Sequence, residues 1–349
     1  LARMLSIRGD SVGAREAAAE ARRLVPTDAA ANLEMASSLM ALGQLDEAWD
    51  LYDYRLQSWR KDSAMRSFDV LRWNGRPGGR STVLVWREEG VGDELRAASV
   101  YPDLRAAHAG RLIVECNPRW RSVFARSFAG IEFRDEELSG AVPEGVDRHM
   151  PALSLFGLYR RALADFPRRP YIVPDPVRLA RWRDRLAALG PEPKVGIGWK
   201  SLNPSWRKRP LLTALADWDP IVGRDDLIMV NLQCEGHGEE LAAAEARLGH
   251  AIHAFSEVDL KNDLEEAVAL IAALDVVIGA RCWVPTTAGA VGTKAFCATP
   301  KPNPFMADLE YDPWSTATDV VYRGIDDGWQ LAVERINAAL DAHLAATEA

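Results

Sequence analysis

Two rounds of short apolar strands alternating with amphipathic helices constrain this chain more than any other feature of it. In the first round, "TVLVW" (82–86), "RLIVEC" (111–116) and "IEF" (131–133) read as strands, with helices near 94–107 and 118–128. In the second, the strands are "KVGIGW" (194–199), "LIMVNLQ" (227–233), "DVVIG" (275–279) and "TKAFCAT" (293–299). "LEEAVALIAAL" (264–274) places Leu264, Ala267, Leu270, Ile271 and Leu274 on one helical face, and a last helix is expected over about 328–346. Strands of this kind separated by helices belong to parallel sheets. The alternation lapses around "ALGPEP" (188–193) and then restarts, which predicts two successive Rossmann-like domains. Ligands of such sheets bind beyond the carboxyl ends of the strands, so a cleft between the two halves is expected to hold the site.

The front of the chain reads differently. Ala2, Leu5, Gly9 and Ala14 return as Ala36, Leu39, Gly43 and Ala48, each 34 positions later. Thirty-four is the tetratricopeptide period, in which small residues let paired helices pack and a glycine makes the turn. A pair of ordinary helical hairpins would carry the same pattern. "NGRPGGRS" (74–81) is a linker by its Gly and Pro content. The expected domains are therefore a repeat segment at 1–73, a first Rossmann-like domain at 80–188, and a second, with the final helix, at 189–349.

With 349 residues, two or three domains are expected. The formal net charge of −8 argues against a general nucleic-acid binder, which needs a basic surface. An anionic ligand would have to be held by local cations. The four cysteines stand far apart, with no CxxC pair and no histidine at zinc-ligand spacing, which points to a reducing compartment and no structural metal. The longest apolar run, "AVALIAALDVVIGA", is too short to span a bilayer and is broken by Asp275. No signal peptide is visible, and a cytoplasmic location is expected.

Three loops can carry chemistry. "VLVWREEGVGDEL" (83–95) ends a buried strand in acids and a glycine-flanked turn. Gly90 and Gly92 would permit close ligand approach beside Glu89, and Asp93 would begin the following helix; Asp93 as a plain N-cap fits the same pattern. "WKSLNPSWRKRP" (199–210) follows the first strand of the second half and gathers Lys200, Ser201, Arg207, Lys208 and Arg209. It is a phosphate-binding loop or a solvated basic one. In "GARCWVPTTAGAVG" (279–292), Pro285 fits the first helical turn, and Thr286 and Thr287 would offer hydroxyls and amides to an anion or merely cap the helix. A helix dipole contributes about 0.3–1 kcal/mol and each charged hydrogen bond about 1.5–3 kcal/mol. Cations and direct bonds would thus outweigh the dipole. "DWD" (217–219) looks like a metal motif of sugar transferases, but it ends a helical stretch and Trp218 reads as a packing residue.

Taken in order, "WREEGVGDE", "VECNPRW", "KVGIGWKS", "VNLQCEG" and "LDVVIGARCWVPTTAGAVG" resemble bacterial proteins that join tetratricopeptide repeats to a heptosyltransferase-like, GT-B sugar transferase domain. "GVGDELRAASVYPDL" (90–104) resembles the signature near the start of that domain, and the chain is most similar to the repeat-linked flagellin glycosyltransferases. The resemblance covers essentially the whole chain. It implies an α/β fold of two Rossmann-like domains facing across a cleft, preceded by the helical repeats. It implies transfer of a sugar from a nucleotide-activated donor to a hydroxyl of a protein acceptor such as flagellin, with inversion and no metal or other cofactor. Asp93 then matches the acid that takes the acceptor proton. Lys200 and the cluster at 207–209 match the loop that neutralises phosphate, and Thr286 and Thr287 match the cradle of the donor phosphates.

The chain departs from the pattern where relatives carry Asp-Thr and then His. Here Arg281, Cys282 and Thr286 stand at those places. Arg281 adds a cation where an acid binds the donor. This implies a different donor, for instance a nine-carbon acidic sugar carried on CMP, or a degenerate transferase domain that serves as a scaffold while the repeats bind a protein partner.

Overall fold

The computed structural model describes residues 1–57, 66–76, 79–137, 141–201, 212–315, 317–324 and 326–348. The chain divides into two compact units. The first comprises 1–167, 171–173 and 302–308; the second comprises 168–170, 174–301 and 309–349.

In the first unit four helices come first: α1 (Ala2–Ile7), α2 (Ser11–Leu24), α3 (Ala29–Ala41) and α4 (Leu45–Tyr52). Asp10 caps α2 by accepting from the Gly13 amide at 2.7 Å, and Asp28 caps α3 from Ala31 at 2.7 Å. The 34-residue return has a structural counterpart. Gly9 and Gly43 both adopt positive φ, +85° and +73°, at the turns after α1 and α3. Ala14, Ala36 and Ala48 are fully buried where the helices meet, as larger side chains would not permit.

The helices lead into a five-stranded parallel sheet made of β1 (Leu71–Arg72), β2 (Val83–Trp86), β3 (Leu112–Cys116), β4 (Glu132–Asp135) and β5 (Arg148–Pro151). Its order is β1-β5-β2-β3-β4. Strand order reverses between β2 and β5, so the loops after these two strands flank the switch point. The helix expected over 94–107 is two, α5 (Val91–Ala98) and α6 (Tyr101–Ala107), because Pro102 can enter only the first turn of a new helix. After β3 comes α7 (Arg121–Ser127), and after β5 the short α8 (Phe156–Tyr159).

The second unit opens with α9 (Pro176–Ala187). The division thus falls near 168–174 rather than at the expected 188/189. α9 packs through Trp182 and Leu186 into the core of the second sheet, and Arg178, Arg181 and the Trp182 indole all bond to Glu266. The helices at 1–57 likewise belong to the first unit rather than to a unit of their own.

The second sheet contains β6 (Lys194–Gly198), β7 (Ile228–Asn231), β8 (Ile252–His253), β9 (Val276–Ala280), β10 (Lys294–Pro300) and β11 (Thr318–Arg323). All its pairings are parallel, in the order β11-β10-β9-β6-β7-β8. Its helices are α10 (Asp219–Val222), α11 (Gly238–Leu248), α12 (Leu264–Ala273), α13 (Trp283–Val291) and α14 (Gln330–Glu348). One face buries Val195, Ile197, Trp199, Trp218 and Ile278 with Val333, Ile336 and Leu340 of α14. The other buries Val230, Val277 and Ala295 under Trp182, Leu270 and Val284. The switch point lies between β6 and β9. There a Cβ on Gly279 would overlap the Gly198 carbonyl oxygen, and one on Gly198 would meet Val284 at 3.1 Å. Glycine at 279 thus lets β6 and β9 approach each other, and glycine at 198 lets the start of α13 close over the strand ends. Among the described residues no helix is long and apolar enough to cross a membrane.

Candidate functional site

The acid-rich loop after β2 is built by burying two of its four acids, Glu88 and Glu94. Glu88 is 0% exposed at its side chain and takes a bidentate pair from Arg55, at 3.0 Å to Nε and 2.8 Å to Nη2. Glu88 also accepts from the Leu153 amide at 3.0 Å, which spans the switch point from the β2 loop to the β5 loop. Glu94 accepts from Arg87 and from the Asn117 amide, both at 2.7 Å; burial nonetheless pushes its carboxyl up. Two of the carboxylates at the end of this strand are therefore anchors of the loop.

Of the residues expected to act here, Asp93 is left 37% exposed. It lies in the first turn of α5, three residues after the N-cap Gly90, so the N-cap reading fails. Its single described ion pair is to Arg96 Nη1 at 3.3 Å. Arg96 is buried, lies 5.4 Å from the Phe305 ring centre, and its Nε has no partner among the described residues. The left-handed position in this loop is not taken by a glycine. Gly90 is extended at φ −92° and Gly92 is helical, whereas Glu89 takes the left-handed conformation at φ +58°. A Cβ at Gly90 would meet only Asp93 Oδ2, at 3.9 Å. What Gly90 omits is a side chain over the first amides of α5.

In the second unit, Lys200 and the loop after β9 flank the switch point. Lys200 donates through its backbone to Gln233 Oε1 at 3.1 Å. Its Nζ reaches Glu240 Oε2 at 3.0 Å and the Gly236 carbonyl at 3.1 Å, so the cation is already paired. Glu240 also accepts from the Trp199 indole. Ser201 is half-buried beside Lys200. Arg207, Lys208 and Arg209 lie outside the described residues.

α13 starts at Trp283, earlier than expected, because Cys282 is extended and serves as its N-cap. Thr286 and Thr287 are therefore past the first turn. Their hydroxyls donate back to the carbonyls of Cys282 and Trp283, at 3.3 and 2.9 Å, and Thr287 is 0% exposed. They present no hydroxyl to a ligand. Arg281 is half-buried and holds the β10 edge, its amide donating to the Ala298 carbonyl at 3.0 Å. In "DWD", Asp217 accepts from the Ala214 amide at 2.8 Å, Asp219 pairs with Arg247 at 2.6 and 2.7 Å, and Trp218 is buried.

The residues that sequence reasoning missed line a cavity of about 510 Å³ beyond the carboxyl ends of β7 and β8. Asn231, Gln233 and His237 line it from one side and Phe255, Glu257 and Asp259 from the other. Phe255 is held by the Trp182 ring at 4.8 Å and the Arg185 guanidinium at 4.3 Å. His237 is the N-cap of α11, and its Nδ1 is buried without a partner among the described residues. This volume falls within the roughly 300–1,000 Å³ usual for small-molecule and cofactor sites.

No family model matches the chain. It is 32% identical to the protein FlbA of Caulobacter vibrioides over 320 residues, which is 87% of this chain and 54% of FlbA. The chain thus spans about half the length of this curated relative. Among solved structures it is similar to the E. coli ADP-heptose lipopolysaccharide heptosyltransferase II, with a TM-score of 0.53 at 14% identity over 77% of this chain and 100% of that one. It is also similar to the family 9 glycosyltransferase of Veillonella parvula, with a TM-score of 0.55 at 10% identity over 78% and 99%. Two parallel sheets in succession, each with its switch-point loops, are thus the GT-B-like glycosyltransferase fold of these heptosyltransferase-family structures.

Proposed function

We propose that this protein is a glycosyltransferase that moves a sugar from a nucleotide-activated donor to a hydroxyl of a protein acceptor. The observation that carries the reading is the 510 Å³ cavity, walled by an aromatic ring and buried amides at the carboxyl end of a parallel sheet, with Lys200 fixed beside it through Gln233. That cavity suits a nucleoside. Lys200 and the start of α13 then face the phosphates, which are stabilised as they depart by preorganised donors without a metal. An in-line displacement of this kind inverts the anomeric centre. In the first unit Asp93 acts as the base that accepts the proton of the attacking hydroxyl.

The helices α1–α4 are read as tetratricopeptide repeats. Stacked hairpins of this type offer a concave surface for a protein segment, which supports a protein acceptor, with flagellin among those the resemblance suggests. A second reading, a degenerate transferase serving as a scaffold, draws support from the pairing of Lys200 with Glu240 and from the buried Thr287 hydroxyl.

Intact-mass spectrometry of candidate acceptors, incubated with the protein and a panel of nucleotide sugars, separates the two. A single added sugar mass supports the transferase. Unchanged acceptors together with no detectable nucleotide affinity in calorimetry support the scaffold.

A further inference from the structure

We infer that Gln233 is a specificity-determining residue that reads a hydrogen-bond acceptor on the nucleobase. This deepens the nucleotide reading above and rests on it.

Gln233 lies just past β7 and is 3% exposed. Its backbone groups and its side-chain oxygen are committed. Its backbone amide donates to Asn231 Oδ1 at 3.0 Å, and its carbonyl accepts from Asn231 Nδ2 at 3.3 Å. Its side-chain Oε1 accepts the Lys200 backbone N–H at 3.1 Å. That last bond sets the orientation of the amide. A peptide N–H can be met by an oxygen but not by an NH₂ group, so the two ends of the Gln233 side chain cannot be exchanged. The NH₂ is consequently turned away from Lys200, and among the described residues nothing accepts from it.

The Gln233 NH₂ is not fully sealed from solvent, so an uncommitted amide donor stands at the cavity wall. Gln233 lines the 510 Å³ cavity, so a ligand there can supply what the protein does not. The rest of the cavity narrows the chemistry. Phe255 offers a ring for a planar group. Asn231 holds the Gln233 backbone through both ends of its own amide. Glu257 and Asp259 disfavour a further anion at that rim and suit hydroxyls such as those of a ribose. The ligand is thus a nucleoside whose base turns a ring nitrogen or carbonyl oxygen to Gln233. A site built on such a donor discriminates strongly against a partner that cannot accept from it.

The test is calorimetry on the whole chain with ADP, UDP, CDP, GDP and TDP, comparing wild type with Gln233→Met and Gln233→Glu. Methionine keeps the length and removes the donor. Glutamate keeps the bond from Lys200, and so the local fold, while replacing the donor by an acceptor. The nucleotide that wild type prefers is expected to bind roughly tenfold or more weakly to both variants, and the ranking of the five bases is expected to flatten. Affinity for inorganic pyrophosphate is expected to stay unchanged. Should the Met variant unfold, the Glu variant decides. Variants that bind the preferred nucleotide within twofold of wild type overturn the role of Gln233 while leaving the nucleotide reading intact. A wild type that binds none of the five overturns both.

Discussion

Arg55 and Glu88 form a bidentate ion pair whose side chains are 5% and 0% exposed. It joins the turn after α4 to the loop after β2 at the switch point of the first sheet. Arg55 also donates to Ser154 Oγ and Asp53 Oδ1, each at 2.8 Å, and lies 4.5 Å from the centre of the Tyr52 ring. The crevice at this switch point is therefore occupied in part by the protein itself, and the helical segment is bonded into the loop that leads to Asp93.

Breaking such a pair by removing one partner leaves an uncompensated buried charge, which costs about 3–5 kcal/mol. Arg55→Met is expected to lower unfolding free energy by that order in urea titrations, with Glu88→Leu doing the same. The double variant Arg55→Met/Glu88→Leu is expected to be more stable than either single one. If the two single losses simply add in the double variant, the pair is not the unit described here.

The pair also shows where sequence reading succeeds and stops. Strands β2, β3, β6, β7, β9 and β10 announce themselves because they are apolar runs buried on both faces. β5 is "RHMP" and was not expected, because an arginine and a histidine at a sheet margin carry no apolar signal. In "EEGVGDE" the loop was legible but the division of labour was not. Nothing local distinguishes Glu88 from Glu89, since the arginine that buries Glu88 is 33 residues away. Nor does "GARCWVPTT" reveal that Cys282 is extended, which starts α13 early and turns both threonine hydroxyls inward. "VNLQCEG" assigns Gln233 no role; the one inferred for it follows from Lys200, also 33 positions off.

His149 gives a pH dependence with a definite sign. Burial, aided by Arg72 and Arg66, holds its imidazole below the usual value. It stacks on Phe68 at 4.4 Å and its Nδ1 accepts from the Trp86 indole at 3.1 Å, which requires the neutral ring. A histidine whose folded value is depressed contributes stability present above its unfolded value near 6.5 and lost as pH falls toward the folded value. Melting temperature is expected to drop as pH falls below about 6.5, and a His149→Gln variant is expected to flatten that part of the profile. An identical slope in the variant would exclude His149 as its source.

If Asp93 is the base, Asp93→Asn removes proton acceptance while keeping nearly the same shape. Turnover is expected to fall by about 10²–10⁴-fold, with nucleotide affinity unchanged because the cavity lies in the second unit. Both quantities are read on one preparation, by mass spectrometry of the acceptor and by calorimetry. Full turnover in Asp93→Asn would remove the proposed base without touching the donor site.

Gly279 tests the second switch point. Its Cα faces the Gly198 backbone so closely that an added methyl overlaps the Gly198 carbonyl oxygen, and backbone cannot swing aside as a side chain does. β6 and β9 must then separate, and with them the Lys200 loop and the start of α13. Overpacking of this kind costs typically about 1–3 kcal/mol. Gly279→Ala is expected to lower the unfolding midpoint accordingly and to weaken nucleotide binding, since Lys200 holds Gln233. Gly90→Ala, where a Cβ meets nothing nearer than 3.9 Å, serves as the contrasting substitution and is expected to change stability little. Equal effects from the two would mean that the close approach of β6 and β9 does not govern the geometry of the site.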